Sequence, residues 1–420
     1  MSPNPSDPAP DGLRALLDRP PYLFYLSGRF LGTLATGAQA VLIGWEVYET
    51  ARQTMSVAEA SFAVGMIGLV QFLPLFCLTL VAGETADRHD RRLILTLCYA
   101  AQLSTSAGLA FSSAAGAGLW PIFALSALFG SARAFFQPTA SALGPMLVPP
   151  HLLPRAIATN SLAAQLASIL GPAIGGLLLL YTMSPAVGYG VCVGLYAAAA
   201  LCALSIRANT RPPFIAGRSR VAQIREGLGY VRANRLVFGA ISLDLFAVLL
   251  GGATGLLPVF ARDVLEVGPD GFGVLRSSPA VGALLVAGVL AARPIRRQAG
   301  VRMLLAVGLF GVATVVFALS RSFALSVACL AVLGGADMVS VYVRQSLVQI
   351  ATPDAMRGRV SAVSTLFIGA SNELGEFESG VAARLLGPVG AVAFGGAGAV
   401  VVTALWAWLF PSLRKADRLV

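Results

Sequence analysis

Residues 57–92 read V-A-E-A-S-F-A-V-G-M-I-G-L-V-Q-F-L-P-L-F-C-L-T-L-V-A-G-E-T-A-D-R-H-D-R-R. Between Glu59 and Glu84 no side chain carries a charge. As a helix rising 1.5 Å per residue, that interval is about 36 Å long, enough to cross a hydrocarbon layer of about 30 Å. It then meets Arg88, Arg91 and Arg92 in quick succession. An apolar run that empties into arginines is a membrane-spanning helix ending on the cytoplasmic side.

The same pattern recurs along the chain. Hydrophobic residues make up 56% and charged residues 12% of 420 positions, against about 25% charged in an average soluble protein. Mean hydropathy is +0.77. Apolar runs this long favour helices over the short alternating strands of a barrel, because each backbone group in lipid must find its partner within the segment. Twelve spans are predicted, at 22–49, 57–82, 93–113, 118–143, 155–181, 184–206, 236–260, 271–292, 302–319, 322–349, 359–385 and 388–410. The first twenty residues are rich in proline and acidic residues, lack the apolar centre of a signal peptide, and read as a tail with a surface helix around Leu13 to Leu17.

Charge asymmetry sets the expected orientation. The segment 207–235 holds seven arginines against Glu226 alone. Arg155, then Arg293, Arg296, Arg297 and Arg302, then Arg357 and Arg359, and finally Arg414, Lys415 and Arg418 fall on the same side if there are twelve spans. The opposite loops are neutral or acidic, as at Asp263, Glu266 and Asp270. The positive-inside rule then places both termini in the cytoplasm of a bacterial inner membrane. The expected organisation is a tail at 1–21, a six-helix bundle at 22–206, a basic linker at 207–235, a second six-helix bundle at 236–411 and a tail at 412–420. The fold class is therefore an all-α membrane protein of twelve transmembrane helices in two six-helix bundles. A net charge of +10 would also suit nucleic-acid binding, but the basic residues sit in short inter-span segments and not on one folded face. Cys77, Cys98, Cys192, Cys202 and Cys329 all fall inside apolar runs and read as small buried hydrophobes.

The stretch G-E-T-A-D-R-H-D-R-R at 83–92 resembles the loop signature of the major facilitator superfamily, with Gly83, Asp87, Arg88, Arg91 and Arg92 matching. G-P-A-I-G-G at 171–176, carrying Gly171, Pro172, Gly175 and Gly176, resembles the end of that superfamily's antiporter motif. Arg133 and Gln137 resemble its arginine-centred drug/proton antiport motif, with Pro138 in place of glycine. R-G-R-V at 357–360 and the order of segments are similar to the branch containing enterobactin and macrolide efflux proteins. The second-half counterpart of the loop signature, A-A-R-P-I-R-R-Q at 291–298, lacks its acidic member. The stretch L-G-T-L-A-T-G at 31–37 lacks the acidic residue that the exporter branch often carries early in span 1.

Read physically, Gly83 is expected to permit a tight exit from span 2. Asp87 is expected to face the start of span 11, near Arg357 and Arg359, where unpaired N–H groups favour a carboxylate. Such a contact would latch the two halves together on the cytoplasmic side.

Ionisable side chains inside a span are expensive and normally face the protein interior or a wet cavity. The deep ones are Arg29, Arg133, Asp244, Asp337, Arg344, Glu373 and Glu376, the last two three apart on one face of span 11. The carboxylates are candidates for proton coupling or substrate binding; they can equally be locked by arginines into packing roles. The arginines can partner them or attract an anionic substrate. Glu46, near the outer end of span 1, reads as interfacial, and Trp45, Trp120, Trp406 and Trp408 read as interface anchors.

No phosphate-binding loop, metal cluster or nucleophile beside a base is apparent, so no cofactor and no enzymatic activity are expected. The leading expectation is a secondary active transporter: proton-coupled export of a small amphipathic molecule, drug-like or siderophore-like, by alternating access. The alternative is a facilitator or importer of an organic anion or lipid-like substrate. A scaffold or channel is a weaker reading, since no ring of charges or filter loop is present. Expected partners are the substrate, protons and the lipid bilayer, and one chain holding both halves suggests a monomer.

Overall fold

The computed structural model describes residues 14–211, 220–252, 254–295 and 297–417. The expected N-terminal tail up to residue 13, linker residues 212–219, Arg296 and Arg418 lie outside the described residues. Everything described is helix or short connection. The long helices are α1 (Pro20–Ala51), α2 (Val57–Arg88), α3 (Arg91–Ala114), α4 (Leu119–Leu143), α5 (Leu153–Thr182), α6 (Pro185–Leu204), α7 (Arg220–Ala233), α8 (Arg235–Leu250), α9 (Gly268–Ala292), α10 (Ala299–Leu319), α11 (Phe323–Ala351) and α12 (Asp354–Leu409). Among the described residues, ten helices are long and apolar enough to cross a membrane, or eleven if the segments 225–233 and 235–250, bent by 104°, count as one span.

The 56 residues of α12 would form a straight rod of about 84 Å, more than twice the thickness of a hydrocarbon layer. The rod is broken at Gly387, whose φ of 74° and ψ of 164° leave the helical region. Glycine adopts a positive φ without a Cβ clash, and Pro388 cannot donate back to the preceding turn. The G-P pair therefore turns the chain back, and the two segments of α12 run as separate helices.

Several expectations shift. Helix α2 runs through Gly83 to Arg88, so Gly83 makes no turn; the exit lies at His89, and Asp90 caps α3 through the amides of Arg92 and Leu93. Span 7 is interrupted: α8 stops at Leu250, and Gly251 and Gly252 begin a non-helical stretch before a turn at Leu257–Val259. A side chain on Gly252 would run into Ser379 and the Gly375 carbonyl, so the close approach of α12 demands glycine there. Glu46 is not interfacial; it is buried, accepting a 2.7 Å hydrogen bond from Tyr189. Trp45 is no interface anchor either, being buried and stacked on Phe272. Cys77 is exposed on the helix surface and not buried.

Packing separates the helices into two groups. Helix α1 packs on α5 and α6, α2 on α4, and α3 on α4 and α6; α9 packs on α11, α10 on α11 and α12, and α8 on α12. Two helix pairs join the groups extensively, α2 with α12 and α5 with α9. Both seams use glycine. A Cβ on Gly65 would lie 2.6 Å from the Cα of Gly380, and one on Gly176 would lie 2.7 Å from the carbonyl oxygen of Gly273. Without a hydrophobic force between helices in lipid, such small-residue contacts let backbones meet and gain dispersion. These seams lie toward the α1–α2 turn, here called the far side, opposite the linker helix α7. Large apolar side chains such as Phe111, Tyr181 and Leu385 are exposed on the outside, where a bilayer covers them.

Candidate functional site

The charges of the spans resolve into distinct sites. The central one joins the two packing groups. Arg133 on α4 donates from Nη1 to Oε1 of Glu373 on α12 at 2.7 Å and to Oε1 of Gln71 on α2 at 3.0 Å. Arg133 stands fourteen residues into α4, about 21 Å from its start, and its guanidinium also lies 5.7 Å from the ring centre of Phe129. Glu376, one turn beyond Glu373, is within electrostatic reach of Glu373, Arg276 and Arg133. Arg276 on α9 donates to the Thr254 carbonyl at 3.3 Å, within the non-helical stretch after α8. Its Nε is buried with no hydrogen-bond partner. Two carboxylates and two arginines from both groups therefore meet at mid-depth. Pairing and hydrogen bonding are what allow such charges to leave water.

A second site lies wholly within the second group. Arg344 on α11 pairs with Asp244 on α8 at 3.1 Å, both almost fully buried. Asp337 is in electrostatic reach of both. Asp244, Asp337, Ser340 and Phe310 line a cleft of no more than about 240 Å³ even with the solvent at its mouth, below the ~300–1,000 Å³ of small-molecule pockets.

The glycine motif on α5 is a packing seam. Side chains added at Gly171 and Gly175 would strike the carbonyls of Leu34 and Ala38 on α1, and Pro172 lies against Gly37. Gly176 faces Gly273 of α9. One short motif thus holds α5 to a helix of its own group and to one of the other.

On the far side an ion-pair cluster bridges the groups. Asp263 accepts from Tyr48 Oη at 2.5 Å and from Arg52 Nε and Nη2 at 3.3 and 2.9 Å, and Arg262 pairs with Glu49 at 3.1 Å. Burial pushes the Asp263 carboxyl up, but the hydrogen bonds from Arg52 and Tyr48 and the charges of Arg52 and Arg262 outweigh it and hold it below the usual carboxylate range.

At the opposite end, Asp87 in the last turn of α2 lies 3.7 Å from Arg91 at the start of α3. Arg91 donates to the Ala142 carbonyl at the end of α4, and Arg92 to the Ile206 carbonyl just past α6. Cations at helix C-termini satisfy orphan carbonyls and complement the helix dipole, so these two brace α3 within its own group. Arg88 pairs with Glu84, both exposed. Arg359 pairs with Glu226 of the linker helix at 2.6 Å, and Arg357 donates to the Gln349 carbonyl. Asp90 also accepts from Thr210. Burial raises its carboxyl, but that bond, the two cap amides and Arg92 leave it below the usual range.

Arg29 stands apart, donating to the phenol of Tyr25 at 2.9 Å. Sequence reading missed Arg276, Gln71, Asp90 and the bridging role of Glu49 and Arg52. Arg276, five residues into predicted span 8, would have been found by the same depth test; Gln71 carries no charge and gave no such signal.

The comparisons with known proteins agree with this arrangement. The family described as transmembrane secretion effector matches residues 28–419. The enterobactin exporter EntS of Escherichia coli O139:H28 (strain E24377A / ETEC) is 27% identical over 416 residues, covering 96% of this chain and 95% of that protein. Its counterpart in Escherichia fergusonii matches at the same identity and coverage. Among solved structures, a POT family transporter superposes with a TM-score of 0.71 at 13% identity over 93% of this chain and 96% of that one. A D-xylose-proton symporter does so with a TM-score of 0.71 at 14% identity over 93% and 98%. At these identities the solved structures speak for the fold alone. The chain is a multi-pass membrane transporter of small molecules and belongs to the transmembrane secretion effector family of the major facilitator superfamily.

Proposed function

We propose that the protein is a proton-coupled exporter of small amphipathic molecules, working by alternating access in the bacterial inner membrane with both termini in the cytoplasm. Splitting α12 at Gly387 and counting α8 with its continuation to Phe260 as one span gives twelve spans. They form two six-helix bundles, 22–206 and 236–411, joined by the basic linker 207–235. The far side is then periplasmic, and we read its closed seams and ion pairs as those of an inward-facing state. Gly83, Asp87, Arg88, Arg91, Arg92, Arg357 and Arg359 stand at the mouth that would close when the molecule turns outward.

The observation that carries this reading is the Arg133–Glu373 pair, one partner in each packing group and hydrogen-bonded at 2.7 Å. A proton arriving at Glu373 cancels the charge that holds Arg133, loosening a link between the halves; its release restores the link. Glu376, beside Arg276, is a second acceptor in the same cluster. In an export cycle the deprotonated, paired state faces the cytoplasm and takes up substrate there, and protonation from outside accompanies release. Similarity to the enterobactin exporters supports the outward direction and a siderophore-like or drug-like cargo.

The test is accumulation of a panel of dyes, antibiotics and siderophores in efflux-deficient bacteria expressing the chain, with and without a protonophore. Protonophore-sensitive lowering of accumulation, lost in Glu373→Gln, is expected. Gradient-independent equilibration retained by Glu373→Gln would instead favour the second reading, a facilitator of organic anions, for which the arginines of the spans argue.

A further inference from the structure

Each deep arginine but one has an anionic neighbour. Arg133 holds Glu373 and Arg344 holds Asp244, and Arg276 feels Glu376. Arg29 has none: among the described residues no carboxylate pairs with it, and its hydrogen bond goes to a neutral phenol. It lies nine residues into α1, about 14 Å from the helix start, and its Nε is buried without a partner. The surroundings share this incompleteness. Tyr99 Oη on α3, fully buried and in electrostatic reach of Arg29, has no hydrogen-bond partner. Asn160 on α5, beside Tyr25, has a buried Oδ1 without one. Tyr25 itself is held in place by its bond to the Ala140 carbonyl of α4 at 2.7 Å.

An unpaired guanidinium with two orphaned polar groups around it is costly unless something completes the set. Both arginine and tyrosine present N–H or O–H donors, and an amide can turn its NH₂ to the same point. Arg29 on α1 and Tyr99 on α3 each leave a donor without an acceptor, and a cation with spare donors beside it describes a receptor for an oxyanion. Arg29 and Asn160 are half-buried, so the place is reachable.

We propose that Arg29, positioned by Tyr25 and flanked by Tyr99 and Asn160, is the docking point for the anionic head of the transported molecule, a carboxylate or acidic phenolate on an amphipathic body. This rests on the transport reading and narrows its substrate class.

The experiment is equilibrium binding to the full chain in nanodiscs of zwitterionic lipid, without any gradient. Fluorescence polarisation would follow anionic 5-carboxyfluorescein and cationic rhodamine 6G. Wild type is expected to bind the anion, Arg29→Gln to bind it at least about tenfold more weakly, and Arg29→Lys to recover part of the loss. Rhodamine 6G binding should be the same in all three. Asn160→Asp supplies an internal counter-charge beside Arg29; it should abolish anion binding and raise the unfolding temperature of the ligand-free protein. That variant keeps the test decisive if Arg29→Gln fails to fold. The proposal is overturned if wild type does not bind the anion, if Arg29→Gln binds it undiminished, or if Asn160→Asp lowers the unfolding temperature. Displacement of the anion by phosphatidylglycerol in the nanodisc would also overturn it, assigning the site to a lipid headgroup. Because no proton gradient is used, failure of coupled export leaves this result standing, and failure here leaves coupled export standing.

Discussion

Replacing Asp263 by asparagine should unlock the far side. Asp263 receives one hydrogen bond from Tyr48 and two from Arg52, and the Arg52 and Asp263 side chains are only 23% and 19% exposed. Asparagine keeps an acceptor but removes the charge that strengthens all three bonds. A charge-assisted hydrogen bond contributes about 1.5–3 kcal/mol, and partial exposure screens it toward the lower end, so a loss of about 2 kcal/mol is expected. At about 1.4 kcal/mol per factor of ten, the balance between far-side-closed and far-side-open shifts about thirtyfold. A minor open state populated at about 1% would rise to about a quarter. Spin labels on Met55→Cys and Asp270→Cys, in a background with Cys77 replaced, report the separation across the seam by double electron–electron resonance. Wild type should give one dominant short distance, and Asp263→Asn should add a longer population. An unchanged distribution would refute the assignment of the cluster as a lock. The pH dependence follows from sign. Because the folded Asp263 carboxyl is held below its usual range, its contribution is present at neutral pH. It is lost only as pH falls through that depressed value, beneath the ordinary carboxylate value of about 3.9. Between pH 5.5 and 8 the wild-type distances should therefore not move on account of Asp263.

Other outcomes follow from the same contacts. Gly65→Val places atoms against the Gly380 backbone, where a Cβ alone would sit at 2.6 Å; the far-side seam should open in the same spin-label experiment, and an unchanged distance would sink the seam's role. Asp244→Asn leaves Arg344 buried without its partner, which costs about 3–5 kcal/mol in comparable pairs. The unfolding temperature in detergent should fall clearly, while Asp244→Asn combined with Arg344→Met should recover much of it. A single variant within a degree of wild type would argue that the pair is solvated. Glu373→Gln should abolish protonophore-sensitive efflux while leaving the anionic probe bound at Arg29, and loss of both together would point to misfolding.

Much of the architecture was legible in the chain because bilayer thickness converts directly into run length and loop charge. The interval between Glu59 and Glu84 could be read alone, since a helix in lipid satisfies its own backbone whatever its neighbours do. The depth test likewise singled out Arg133, Asp244, Arg344, Glu373 and Glu376 one at a time. It could not say that Arg133 meets Glu373, 240 residues away, while Asp244 meets Arg344 within the other group. Periodicity reports which residues share a face, not which face another helix presents. Glu46 and Trp45 were misread for the same reason: position along α1 suggested an interface, whereas α6 and α9 cover them with Tyr189 and Phe272.

What the sequence by itself determined, then, is that the chain crosses a membrane many times as helices, the asymmetry of the charges flanking its apolar runs, and the list of side chains too polar for where they lie. These depend on local composition and on the solvent a helix meets. Only the tertiary structure decided that Gly251 and Gly252 interrupt span 7, that Asp90 and not Gly83 shapes the exit from α2, and that Asp263 joins Arg52 across the far side. It also left Arg29 as the one deep cation without an anion among the described residues. Those facts arise where helices distant in the chain come within a few ångströms, and the energy of a charge depends on which partner is there.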